Sequence, residues 1–185
     1  GGIAVNEWLI QEGYLVLRED PAPGTRLADL IADGLVDWSR TVAWAEGGYY
    51  GRVFLNVRGR EPEGIVPPSR YEEVRAELAE RLAAIPDDLG RPIGTRVFRP
   101  EDLYREVHGI PPDLIIYFGN LSWRSIGSVG WGRIHLHEND TGPDDANHSP
   151  WGIFIAHPPL DRRGDLSLLD IREIILAYFQ GEDGG

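Results

Sequence analysis

One stretch of this chain concentrates side chains able to hold a cation. Residues 138–148 carry Glu138, Asp140, Asp144 and Asp145 and end on His148. Gly142, Pro143 and Asn147 lie among them, and these turn formers make the stretch a loop by composition. It runs into an apolar segment, residues 151–156, that reads as a buried strand. Carboxylate oxygens and an imidazole nitrogen are ligands that hard and borderline cations accept. The loop is therefore a candidate cation site beside a core strand. The competing reading is a solvated turn whose Asp side chains cap nearby backbone N–H groups. No standard metal-ligand spacing is present, and spacing alone favours the turn. Within the loop, Asp144 and Asp145 are candidates for orienting the His148 ring, and the same two residues also serve as plain turn formers.

Other groups deserve the same weighing. Arg124 follows Trp123 in a Gly/Ser-rich stretch, where a bidentate guanidinium can steady a phosphate or carboxylate. The plainer alternative is an Arg stacked on Trp123 or paired with an acid of this acidic chain. His135 and His137 form an H-x-H pair capable of chelation, but two His so spaced are more simply an exposed strand face. Tyr14, Trp44, Tyr49 and Tyr50 are read as packing residues.

Bulk composition narrows the function classes. The chain has 185 residues and a formal net charge of −12, which opposes a phosphate-backbone binder. There is no Cys and no Lys, so every basic side chain is Arg. Thiol catalysis, a Schiff-base lysine and a Walker-type phosphate loop are thereby excluded for these residues. No segment approaches the roughly 20 apolar residues of a membrane span, and no signal peptide is recognised. A cytoplasmic setting is expected, with neither a nucleic acid nor a membrane as partner.

The elements that must position these groups read as α/β. Residues 5–10 suit a helical turn stopped at Gly13, and residues 27–35 a short helix ended by Gly34. Residues 50–57 alternate as a strand with Val53, Leu55 and Val57 on the buried face. Ser69 and Glu72 have capping-box spacing, followed by a helix whose Val74, Leu78, Leu82 and Ile85 share one face. Glu77 and Arg81 are spaced as an i,i+4 pair. Residues 94–99 read as a strand and 100–107 as a short helix. Residues 114–118 form an unbroken apolar run, suited to a strand covered on both faces in a parallel sheet. Residues 119–132 read as a long loop and 133–137 as a strand. The last element is a helix from about Ser167, apolar around much of its girth and expected to pack heavily. A small α+β lobe is expected over residues 57–112.

Several longer blocks, taken together, carry a resemblance. They are Val-Asn-Glu-Trp-Leu-Ile-Gln-Glu-Gly-Tyr-Leu at 5–15, Trp-Ala-Glu-Gly-Gly-Tyr-Tyr at 44–50 and Phe-Leu-Asn at 54–56. To these add Gly-Ile-Val-Pro-Pro at 64–68, Pro-Asp-Leu-Ile-Ile-Tyr-Phe at 112–118 and Ser-Trp-Arg-Ser-Ile-Gly-Ser at 122–128. The acidic loop at 138–148 and Trp-Gly-Ile-Phe-Ile at 151–155 complete the set. In this order they resemble the C-terminal part of type I phosphodiesterase/nucleotide pyrophosphatase-like proteins of the alkaline phosphatase superfamily, those described as phosphohydrolases or phosphomutases.

The resemblance implies an alkaline-phosphatase-like sheet with flanking helices and a two-metal phosphoryl-transfer enzyme using Zn or Mn. In such enzymes a metal-activated Thr or Ser attacks phosphorus in line, between cations about 4 Å apart. It implies that His148 is the last metal ligand. The family's nucleophile, its first Asp ligand and its Ser-Asp-His-Gly block would precede residue 1, and no Asp-His dipeptide occurs here. The expectation is therefore a C-terminal part that contributes one ligand, is inactive by itself and binds no metal tightly alone. Its partners would be the N-terminal part of the parent chain and a small phosphorylated substrate. The alternative is a stand-alone, non-catalytic module whose acidic loop binds a cation or a partner.

Overall fold

The computed structural model describes residues 1–138, 146–157 and 164–181. Asp140, Asp144 and Asp145 of the acidic loop lie outside the described residues. The chain divides into two compact units, Gly1–Pro150 and Trp151–Gly185.

In the first unit, β1 (Gly2–Ala4) passes directly into α1 (Val5–Gln11). The helix stops where Gly13 takes φ 78°, and the Tyr14 N–H returns to the Leu9 carbonyl at 2.8 Å. That left-handed glycine is what the helix end requires. A second short helix, α2 (Leu27–Ala32), ends before Gly34 at φ 71° for the same reason. Next come β2 (Ala43–Glu46), β3 (Gly51–Leu55), α3 (Tyr71–Ala83), β4 (Arg96–Phe98) and α4 (Pro100–Leu103). The unit continues with β5 (Leu114–Tyr117), β6 (Arg124–Ile126) and β7 (His135–Leu136).

The strands make two sheets, ordered β2-β3-β5-β4 and β6-β1-β7. All neighbours in the first are antiparallel, whereas β1 runs parallel to β6 and antiparallel to β7. The mixed α/β class expected from the sequence holds. Val53 and Leu55 are fully buried, and Leu78 and Leu82 of α3 join them in the main core. Trp44 pairs across the ladder with Phe54, their rings stacked at 5.6 Å, with Trp38 edge-on to Trp44 at 5.1 Å.

Three polar networks tie these pieces together. Asn6 is fully buried. Its Nδ2 donates to the carbonyls of Ala45 and Gly127 at 2.8 and 2.7 Å, and its Oδ1 accepts from the Ala45 N–H at 2.9 Å. Asp113, ahead of β5, accepts from the Leu55 N–H at 2.6 Å, from the Tyr71 hydroxyl at 2.6 Å and from both Arg60 terminal nitrogens at 2.7 and 2.6 Å. Tyr14 donates to Glu77 at 2.5 Å and accepts from Arg81 at 2.7 Å, which ties the turn after α1 to α3. The expected Glu77–Arg81 pair is present at 3.8 Å.

Several expectations need correction. Ser69 caps nothing: Pro68–Arg70 form a 3₁₀ turn, and α3 starts at Tyr71 without a side-chain cap. Pro68 has its φ preset for a turn, so winding begins ahead of the proposed cap. Glu72 pairs instead with Arg75 at 2.9 Å and Arg99 at 3.5 Å. The helix at Pro100 ends at Leu103 rather than near residue 107. The apolar run at 114–118 is an inner strand, as its burial pattern implied, but both of its neighbours are antiparallel. Burial on both faces needs cover over both faces of the sheet, not parallel neighbours. The stretch 119–132 is not one loop, because β6 lies inside it.

The second unit contains α5 (Leu168–Gly181). Residues 151–156 carry no strand assignment, and Ile153 and Ile155 are exposed. Among the described residues, Leu168, Leu169 and Phe179 of α5 are exposed as well, and Ile171 and Ile174 are half-buried, so the helix packs less heavily than expected. Apolar periodicity marks a face that wants cover; it does not supply the cover. No helix among the described residues is long and apolar enough to cross a membrane.

Candidate functional site

The site is assembled by a short approach of the β2–β3 hairpin tip to β6. Gly48 and Ser125 exchange backbone hydrogen bonds, the Gly48 N–H to the Ser125 carbonyl at 2.7 Å and the Ser125 N–H to the Gly48 carbonyl at 3.0 Å. This is an isolated antiparallel bridge. It forms only because residue 47 is glycine: a Cβ there would lie 2.4 Å from the Gly127 nitrogen and 2.6 Å from the Ser125 carbonyl oxygen. Antiparallel register then sets the next residue on one side against the previous one on the other. Tyr49 therefore faces Arg124.

The contact is direct. The Arg124 guanidinium carbon lies 4.4 Å from the Tyr49 ring centroid, and Arg124 is only 8% exposed. The His148 imidazole stacks on the same phenol ring, with centroids 3.8 Å apart and planes inclined by 19°. A guanidinium and an imidazole this close to one centroid must take opposite faces, because a single face cannot seat both. The result is a three-layer stack, Arg124–Tyr49–His148. Beside it, the Asn147 Nδ2 donates to the Ser122 carbonyl at 2.8 Å, which ties the His148 segment to the turn before β6.

That turn is unusual backbone. Gly119, Asn120 and Leu121 follow one another at φ 55°, 52° and 76°. Left-handed conformation at non-glycine residues costs of order 1–3 kcal/mol each and persists only where surroundings enforce it. Here Leu121 is buried, and the Ser122 hydroxyl donates to the Gly119 carbonyl at 2.6 Å. The turn delivers Trp123 and Arg124 to the start of β6.

Two residues nominated from the sequence, His148 and Arg124, thus meet on one ring. Arg124 lies against Tyr49, not Trp123. Tyr49 was read as packing; its partnership depends on a register that no local pattern announces. The one available signal was the Gly47-Gly48 pair, which marks a place where backbones approach closely. His135 and His137 each have a neighbour of their own. The His135 Nε2 donates to the Pro86 carbonyl at 2.8 Å, and His137 lies 3.8 Å from Asp88. Among the described residues no group of three or more His, Cys, Asp or Glu converges as a metal site. Glu138 is exposed.

Two further features complete the picture. A cavity of about 380 Å³ is lined by Gly47 and Gly48 together with Arg26, Trp44, Glu46 and Ser128. Near Asp113, burial and then the hydrogen bond to its carboxylate push the Tyr71 hydroxyl up to about 12. The same burial effect, with Glu77 as partner, raises Tyr14. Both phenols belong to the structural networks described above.

No family model, no curated protein and no solved structure matches this chain.

Proposed function

We propose that this chain is the C-terminal part of a metal-dependent phosphohydrolase of the alkaline phosphatase superfamily, of the phosphodiesterase or phosphomonoesterase kind. It contributes His148 as a metal ligand and is inactive by itself. The observation that carries the reading is the meeting of His148 and Arg124 on Tyr49. Two blocks far apart in sequence, both part of the family resemblance, come together with the chemistry such a site needs. His148 offers an imidazole nitrogen, and Arg124, on the opposite face of the Tyr49 ring, a permanent cation of the kind that suits a phosphate oxygen.

A pair of divalent cations, Zn or Mn, supplies Lewis acidity and charge neutralisation when bound. His148 fits as one ligand of that pair, but one imidazole cannot hold two cations, so the remaining ligands belong to the N-terminal part of the parent. Asp144 and Asp145 stay candidates for orienting the His148 ring. The second unit supports the same reading. Its described residues are one helix and an apolar segment with Ile153, Ile155, Leu168 and Leu169 exposed, which is compatible with a part of a larger protein. A cytoplasmic location and a small phosphorylated substrate are part of the proposal.

The test is hydrolysis of bis(4-nitrophenyl) phosphate and 4-nitrophenyl phosphate by the longer polypeptide in Zn²⁺ or Mn²⁺. His148→Ala should lower turnover by orders of magnitude with the circular dichroism spectrum unchanged. Near-normal turnover would remove His148 from the site. A tight, stoichiometric metal site in the isolated chain by calorimetry would favour the stand-alone module instead.

A further inference from the structure

We infer that Tyr49 is a positioning residue for His148, and that Arg124 acts on His148 through it; this rests on the functional reading above. An exposed imidazole on a loop has free rotation about both side-chain torsions, which a ligand or general base must lose to act. His148 is exposed, as are its neighbours from residue 146 to residue 150. What limits its ring is the phenol plane at 3.8 Å and an inclination of only 19°. That plane is fixed in turn. The Gly48–Ser125 bridge sets the backbone of residue 49, and the buried Arg124 guanidinium covers the far face at 4.4 Å. Asn147 ties down the backbone one residue before the imidazole, through the Ser122 carbonyl at 2.8 Å.

The hierarchy runs from the buried strand to the exposed ring. The strand start holds Arg124, Arg124 and the bridge hold Tyr49, and Tyr49 holds the plane of His148. Stacking fixes the ring plane and leaves the edge nitrogens outward, which is the freedom a ligand nitrogen needs. A flat ring at position 49 is required; its hydroxyl is not. Groups that orient a ligating His typically change metal affinity or activity by about 10–100-fold when removed, and this ring should fall in that range.

Two readouts separate this inference from the parent reading. In the ¹H–¹³C spectrum of the full chain, the His148 ring protons should lie upfield, inside the Tyr49 ring current. Tyr49→Phe keeps that position, and Tyr49→Leu returns the protons to ordinary values. In the longer polypeptide, Tyr49→Leu should lower kcat for bis(4-nitrophenyl) phosphate by roughly tenfold or more, with KM little changed and Tyr49→Phe close to wild type. Unshifted His148 protons in the wild-type chain overturn the inference, whether or not any variant folds. An upfield shift combined with full activity in a folded Tyr49→Leu, while His148→Ala is dead, overturns it and leaves the phosphohydrolase reading standing. If His148→Ala is itself fully active, the phosphohydrolase reading fails, and Tyr49 loses its catalytic consequence with it.

Discussion

Replacing Asp113 by alanine should destabilise the first unit by about 3 kcal/mol. The carboxylate is 3% exposed and serves four donor atoms. Removing it orphans the N–H of Leu55, a residue with no exposure, and an unsatisfied buried donor costs about 1–3 kcal/mol. The Arg60 side chain is 36% exposed, so water takes over much of its pairing and its share is discounted to about 1 kcal/mol or less. Tyr71 loses the acceptor of its hydroxyl at 2.6 Å while burial still weighs on it. The sum is near 3 kcal/mol, a fall of roughly 6–12 °C in Tm for a chain of this length. Urea unfolding followed by circular dichroism measures it, with Arg60→Met as the control, expected to cost about 1 kcal/mol. The reasoning is refuted if Asp113→Ala costs no more than Arg60→Met, since the buried N–H would then carry no penalty.

Three further outcomes are expected. Tyr71 is raised to about 12 in the folded chain, above its unfolded value of about 10, so the unfolded state loses that proton first. Its stabilising contribution, of order 2 kcal/mol, is complete below pH about 10 and disappears as pH rises towards about 12. Tyr71→Phe should flatten the fall in urea midpoint over that window, leaving the part due to Tyr14, which is also raised. Gly64→Ala should be poorly tolerated, because its Cβ would lie 2.0 Å from the Val57 carbonyl oxygen; a thermal melt matching wild type would contradict the close approach. Leu78→Ala empties a site with no exposure and should cost about 2–5 kcal/mol by urea unfolding.

Local chemistry made much of the fold readable in advance. Gly13 and Gly34 end helices because only glycine enters the left-handed conformation freely. Val53, Leu55, Leu78 and Leu82 were recognisable as core from their periods of two and 3.6, since those periods follow from backbone geometry alone. The acidic balance and the absence of Lys and Cys bounded the chemistry without any coordinates. Partner choice was not readable in this way. The burial of residues 114–118 was evident while the direction of its neighbours was not, because a strand covered on both faces occurs in sheets of either type. The Ser69 cap failed because a proline one residue earlier started a different turn. His148 and Arg124 were nominated separately, from residue type and motif, and nothing local linked either of them to Tyr49. That link depends on a backbone bridge between residues 48 and 125. Propensity and periodicity act over a few residues, whereas a bridge across such a span exists only once the whole unit has closed around it.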